Sequence, residues 1–434
     1  MNGKAMKEWI ARLQPICRSI TGDGVRETLS LIGEQIPLER HEVASGTEVL
    51  DWTVPLEWNI RDAWIKDSSG RRVIELANSN LHVVSYSIPV APRWISRDEL
   101  EPHLHSLPEH PDWIPYRTAY YDPAWGFCLT QRQRDALVDS RYEICIDSTL
   151  APGALSYGEL RIEGESEEEI LISAHVCHPT LCNDNLSGIA VAVELARDRL
   201  RERPRLSYRF IFAPGTIGAI TWLARNPDTV RQIAHGLTLV CLGDERPLQY
   251  KQTFAGDAPI DRAMALVLAQ DPGAKAQLPF HPYGYDERQY NSPGYRLAVG
   301  SFMRGQHGEF PEYHTSADDL TFIHAEKLEQ AALRLREVCD LLERNDRFTS
   351  LAPYGEPQLG RRGLYQAIGG KSDPQSLSRA LLWVFQFSDG QHDLIDVATR
   401  SGIPWKVLGE AATLLEAKGL IVGRSQKGVD LCGS

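Results

Sequence analysis

Residues 173–188 read "SAHVCHPTLCNDNLSG", with His175, His178, Cys177, Cys182 and Asp184 inside ten positions. The apolar run "EEILISA" before it has the look of a buried strand, and "LSGIAVAVELARDRL" after it has helical spacing. The stretch is therefore predicted to lie where a strand of an open α/β sheet gives way to a helix, the edge at which such sheets bind ligands. A Cys/His zinc knuckle needs four ligands in paired spacings. No second pair stands at a suitable distance, so Cys177 and Cys182 read as packed thiols. His175 and Asp184, nine residues apart and both at the mouth of the sheet, suit a hydrolytic zinc that keeps one position open.

Working outward, "YEICIDSTL", "YGELRIEG", "LSYRFIFAP", "LTLVCLG" and "RLAVGSF" read as further strands. Helices are predicted from about Thr216, near 259–270, and over "HAEKLEQAALRLREVCDLLERN". Alternating strands and helices predict an α/β fold with a mostly parallel sheet covered by helices on both faces. Residues 5–40 are predicted helical, and 1–44 with 131–350 form this α/β domain. Residues 45–130 carry six of the ten tryptophans among short alternating runs, which predicts a small β-rich insert that could roof the cleft. Residues 351–434 begin with the linker "APYGEPQLGRRG" and continue as three helix patterns and a hairpin, "LIVGRSQKGVDL", a winged-helix pattern.

The net charge of −12 argues against nucleic acid as the main partner, since phosphate binding needs a basic footprint. Between Pro374 and Leu431 six Lys/Arg meet six Asp/Glu, so the winged-helix module has no basic face and is expected to pack or dimerise. A homo-oligomer is left open. No stretch approaches the roughly 18 apolar residues of a membrane span, and no apolar run follows the first lysines as in a signal peptide. Eight cysteines, several in apolar strands, suit reduced buried thiols. A soluble cytoplasmic protein is expected.

"SAHVCHPTLCNDNLSGIAVAVELA" together with "EFPEYHTSADDL" resembles the M28-like di-zinc aminopeptidase superfamily, which contains the glutaminyl cyclases. Within it the chain resembles a bacterial aminopeptidase-like subfamily, found near biosynthesis genes, with a β-rich insert and a C-terminal winged helix. The resemblance implies His175, Asp184, Asp244 and His314 as metal ligands, with Asp184 bridging where two metals bind. "YDERQYNSPG" resembles the segment lining the superfamily's substrate cleft, which makes Arg288 and Tyr290 substrate contacts, with Tyr313 beside His314.

Two departures matter. Cys177 stands where the superfamily usually has an aspartate. Gly215-Thr216 stands where the superfamily places adjacent glutamates, a general base and then a metal ligand, and where the subfamily resemblance leads us to expect Glu-Thr. Gly215 thus marks the catalytic position of a missing base, and one Zn2+ is favoured over two. The expected function is a zinc-dependent aminopeptidase-like amidohydrolase of a small peptide or an aminoacyl or acylated metabolite, impaired at Gly215. Glu245 and Glu312 are candidates to replace the base. The alternatives are a metal-binding pseudoenzyme or inactivated variant, a glutaminyl-cyclase-like acyl transfer, and a winged-helix regulator.

Overall fold

A computed structural model describes residues 2–306, 308–364 and 374–424. The chain divides into two units, Met1–Ala258 with Asp271–Leu335, and Pro259–Gln270 with Arg336–Ser434.

The first unit is built on an eight-stranded sheet of β1 (Glu39–Ala44), β2 (Ala154–Ile162), β3 (Glu169–His175), β4 (Ser207–Ala213), β5 (Ile233–Leu239), β6 (Gln249–Lys251), β7 (Lys275–Leu278) and β8 (Val299–Met303). Their order is β1-β2-β4-β3-β5-β8-β6-β7. The central four, β4, β3, β5 and β8, run parallel, while β2 against β4 and β6 against β8 are antiparallel. Every residue of β3 and β4 is buried, as expected for strands covered on both faces. The register sets His175 opposite Ala213, so β3 and β4 end side by side.

The N-terminal stretch differs from the helical expectation. Helices Gly3–Leu13 and Asp23–Gly33 are followed by β1, which pairs with β2 as an edge strand. The β-rich insert also runs further than residue 130. Strand Arg141–Ala151 pairs on one side with Glu57–Lys66 and on the other with Val90–Ser96. Its alternating pattern fits either sheet by periodicity alone, and pairing decides which. Trp58 and Trp64 are buried in this region, whereas Trp52 and Trp94 keep about two-fifths of their surface exposed.

In the second unit, strand Arg347–Ser350 sits between Asp389–Asp393 and Ile421–Gly423 in a three-stranded sheet beside helices Pro374–Gln386, Leu394–Ser401 and Trp405–Ala417. The winged-helix region therefore starts before residue 351. Helix Pro259–Leu268, expected with the α/β domain, also belongs here, because Arg262 pairs with Asp393 at 2.5 Å and Asp396 at 2.8 Å. The far strand of the expected hairpin lies outside the described residues. Trp405 is buried as a core residue.

Candidate metal centre and cleft

His175 is the last residue of β3. The loop after it leaves regular structure and is held by polar side chains. The buried Arg18 donates from Nε to the His178 carbonyl at 2.8 Å and from Nη1 to that of Leu13 at 2.7 Å. Asp318 accepts the backbone N–H groups of Asn183 and Asp184 at 2.5 and 2.9 Å, drawing the "HTSADD" segment against "NDN". Asn185 ties the same loop to the end of β5, through Leu239 O and Cys241 N. Four non-glycine residues here, Thr180, Thr216, Cys241 and His314, have left-handed φ of 58°, 64°, 50° and 55°. Such strain gathers where surrounding contacts over-determine a site.

These restraints bring three histidines onto one carboxylate. His175 Nε2 lies 2.9 Å from Asp184 Oδ1, His178 Nδ1 3.3 Å from Asp184 Oδ2, and His314 Nε2 3.2 Å from the same Oδ2. His175, His178 and Asp184 form a group that could hold a metal ion, their ligand atoms within 4.8 Å of one another. Aromatic rings fix the imidazoles: Tyr285 stacks on His175 at 5.3 Å and Tyr313 on His314 at 3.9 Å. From the insert, Tyr116 meets His178 and His314 edge-on. The Tyr116 N–H also donates to His314 O at 2.7 Å, and Ser316 N to Ile114 O at 2.8 Å, strapping the insert to the His314 loop.

Burial alone would raise the Asp184 carboxyl, but the His178 charge and the hydrogen bond from His175 outweigh it and hold Asp184 well below the usual range. Burial would lower His178, and Asp184 and Cys177 outweigh that in turn, holding it well above its ordinary value. Burial lowers His314. It also pushes Asp318 up to about 7 despite its two backbone donors.

One feature tests the site for a metal. Asp184 Oδ2 and His314 Nε2 are both buried and lie 3.2 Å apart, and neither has a well-directed hydrogen-bond partner among the described residues. Buried polar atoms are rarely left this way. An ionised carboxylate with a neutral imidazole alongside, and two more imidazoles within reach, is a donor set of the kind zinc takes. The residues present fit a metal.

A cavity of about 390 Å³ opens beside this cluster, and His175, His178, Gly215, Asp286, Arg288 and Tyr313 all line it. The insert contributes Trp52 and Tyr121, whose rings meet at 5.5 Å.

The structure thus brings His175, Asp184 and His314 together, and places Gly215, Arg288 and Tyr313 on the cavity wall. Asp244 does not join them. Its Oδ1 accepts from Arg246 N and Nε, both at 2.8 Å, and its Oδ2 from Arg246 Nη2 at 2.7 Å and Asn183 Nδ2 at 2.8 Å. A guanidinium two residues along has claimed the carboxylate that sequence assigned to the metal. Tyr290 is no substrate contact either: it is wholly buried, packed near Trp222, with its hydroxyl 3.1 Å from Ser173 Oγ. Neither Glu245 nor Glu312 lines the cavity. The Glu245 side chain is 76% exposed, near His324.

Three residues that sequence reasoning passed over are His178, Asp286 and Asp318. His178 had a signal, its three-residue spacing from His175 in "HVCH". Asp318 sits in the quoted "HTSADD", and Asp286 in "YDERQY".

The family described as a domain of unknown function (DUF4910) matches residues 7–345, and a winged helix-turn-helix family (HTH_47) matches 346–423. The chain belongs to the DUF4910 family. A Clostridium acetobutylicum relative, named for polysaccharide biosynthesis and an aminopeptidase-like domain, is 48% identical over 94% of this chain and 93% of its own length. A solved structure from the same organism, named as a peptidase, is 45% identical with a TM-score of 0.90, covering 97% of this chain and 96% of that one. A zinc aminopeptidase from Bacillus subtilis is 13% identical with a TM-score of 0.55, over 79% of this chain and 95% of its own. At that identity the likeness speaks for the fold. This DUF4910 chain therefore has an α/β domain with an aminopeptidase-like fold, followed by a winged helix. None of its described helices is long and apolar enough to cross a membrane.

Proposed function

We propose that this DUF4910 protein is a zinc-dependent, aminopeptidase-like amidohydrolase of a small peptide or an aminoacyl or acylated metabolite, impaired in hydrolysis by Gly215. The observation that carries the reading is the pair of buried atoms without a well-directed partner, Asp184 Oδ2 and His314 Nε2, within a set of three histidines and one carboxylate. His175, His178, Asp184 and His314 would hold one zinc ion. When bound, zinc supplies Lewis acidity that polarises a carbonyl oxygen and acidifies water.

The remaining chemistry belongs to the chain. Tyr285, Tyr313 and Tyr116 hold the imidazoles in place, and Asp318 fixes the backbone that carries Asp184. A general base must come within ~2.6–3.2 Å of the proton it takes. Gly215 offers no acceptor on its wall. The nearby Asp286 has one oxygen engaged by the Thr216 N–H at 2.7 Å. The cavity's size and the Trp52–Tyr121 contact favour small substrates. The relative named for polysaccharide biosynthesis supports a biosynthetic metabolite over a general peptide.

Gly215 also favours a second reading, a metal-binding protein of this fold that does not hydrolyse. Seven described cysteines are free thiols, which supports a reducing, cytoplasmic setting. The winged helix is proposed as a packing or dimerisation module. Zinc titration of the whole protein, with metal analysis, tests the core claim: we expect about one ion per chain and its loss in Asp184→Asn. Undiminished zinc binding in Asp184→Asn would defeat the assignment. Hydrolysis of an aminoacyl-amide panel then separates the slow enzyme from the inert binder.

A further inference from the structure

We infer that the cavity holds a subsite for a carboxylate group of the substrate, built on Arg288. This narrows the substrate to small acylated or aminoacylated compounds bearing a free acid, and it rests on the cleft being the substrate site proposed above.

Arg288 lies on the short helix Glu287–Tyr290 and lines the same cavity as His175 and His178. A guanidinium carries five N–H donors in a fixed fork. Among the described residues Arg288 makes one hydrogen bond, from Nη2 to Thr216 Oγ1, and at 3.4 Å it is long. Its Nε is buried and has no partner.

Two acids precede it in sequence and neither is hydrogen-bonded to it among the described residues, although Asp286 is near enough to feel its charge. Asp286 Oδ1 accepts the Thr216 N–H at 2.7 Å, and Glu287 is paired with the buried Lys251 ammonium. Other enclosed arginines of this unit show what satisfaction looks like. Arg246 grips the Asp244 carboxylate through two nitrogens, so it has a paired countercharge even though its Nη1 is buried without a partner among the described residues. Arg304 donates to three backbone carbonyls and Gln330. A half-buried guanidinium with one long hydrogen bond, and with a buried Nε that has no partner among the described residues, has donors left for an anion, though Asp286 supplies charge nearby.

A carboxylate suits this group better than a phosphate. Its two oxygens match the side-on pair of Nε and a terminal nitrogen. A lone guanidinium also balances one negative charge, whereas phosphate carries up to two at neutral pH.

The test uses N-acetylalanine and N-acetylalaninamide as a matched acid and amide, with inorganic phosphate as a third probe. Each is titrated calorimetrically into the whole protein, with zinc and after chelation, for the native sequence, Arg288→Met and Arg288→Lys. Hydrogen bonds to charged groups are worth about 1.5–3 kcal/mol, so the acid should bind about 10- to 100-fold tighter than the amide. Arg288→Met should erase that preference and Arg288→Lys should keep part of it, with melting temperature and zinc affinity unchanged in both.

Equal binding of acid and amide, or binding of neither, overturns the inference. So does an acid preference that survives Arg288→Met, which would put the carboxylate on the metal. Phosphate binding tighter than the acid and lost in Arg288→Met reassigns the subsite and defeats the carboxylate. A protein that takes up no zinc but keeps an Arg288-dependent acid preference sinks the hydrolase reading and leaves this one standing.

Discussion

The same two strands carry a cluster of buried ionisable groups at each end, and the two clusters are built differently. At the start of β3, Glu169 receives Arg209 from β4 through Nε at 2.6 Å and Nη2 at 2.8 Å, and Arg161 Nε at 2.8 Å. Arg209 also pairs with Glu159 of β2, whose other oxygen takes Trp222 Nε1 at 3.3 Å. Six residues on, roughly 20 Å at the usual strand rise, His175 ends β3 in the three-histidine cluster on Asp184. There one carboxylate oxygen and one ring nitrogen are buried without a well-directed partner among the described residues. In the first cluster both carboxylates are met by guanidinium groups, although His41 Nε2, 3.7 Å from Glu159, is buried without a partner among the described residues. In the second, one carboxylate is met by three imidazoles, the set proposed above to hold zinc, and the backbone strain of Thr216, Cys241 and His314 gathers at that end. The guanidinium–carboxylate cluster and the proposed metal centre lie at opposite ends of the same two strands.

The largest expected effect sets the two ends directly against each other. Arg209→Met leaves the enclosed Glu169 with Arg161 alone and Glu159 with only the Trp222 donor, and removing one partner of a buried pair typically costs about 3–5 kcal/mol. Denaturant melts should show that loss while zinc affinity stays as it was. Asp184→Asn should do the reverse. Zinc binding goes, and the melt should fall less than in Arg209→Met, because an imidazole left without its carboxylate can release its proton and stay neutral. If Asp184→Asn unfolds as readily as Arg209→Met, the contrast between the ends is wrong.

Gly215 gives the next test. A Cβ built there meets Cys177 Sγ at 3.3 Å and His175 Cβ at 3.6 Å, so the sulfur must yield slightly and the rest is ordinary contact. Gly215→Glu can therefore reach the cavity beside the histidines. If proton transfer is what the native chain lacks, turnover of an aminoacyl amide should rise about 10²-fold or more. Zinc affinity should move less, since this position is read as a base and not a ligand. A native protein already fully active would defeat that reading, with Asp286 the carboxylate to examine in its place.

The fold was legible where burial leaves a one-dimensional trace. β3 and β4 are mostly apolar and wholly buried because both faces are covered, and helix Gly188–Arg199 follows β3 after the site loop. The β-rich character of the insert was also readable, but its end was not. Arg141–Ala151 alternates as any half-buried strand does, and pairing partners leave no mark in periodicity. The cluster was partly legible for the same reason. His175 and Asp184 stand at a recognisable strand end, whereas the fate of Asp244 turned on Arg246, two positions away in sequence and close enough in space to saturate it. Tyr290 looked like a cleft residue from its motif, yet helix Glu287–Tyr290 is one turn long and turns Arg288 and Tyr290 to different surroundings. Single-turn orientation of this kind is not written in composition.

The smallest expected effect lies between the two ends in character, at Asp318. This carboxylate is buried like Glu169, yet its partners are backbone N–H groups of Asn183 and Asp184, at 2.5 and 2.9 Å, and no guanidinium pairs with it among the described residues. Burial raises it to about 7. Its work is to hold the backbone that presents the Asp184 side chain to the histidines. In Asp318→Asn the shape is kept, but one amide oxygen must serve two N–H donors, and the amide NH2 faces a donor. The loop should loosen without the core opening. Residues supporting a metal's own ligands typically change its affinity by about 10–100-fold, and that loss in zinc affinity is expected here. The melt of the zinc-free protein should fall far less than in Arg209→Met. An Asp318→Asn protein that binds zinc as tightly as the native chain, yet melts as low as Arg209→Met, would make Asp318 a support for the fold and not for the proposed metal centre.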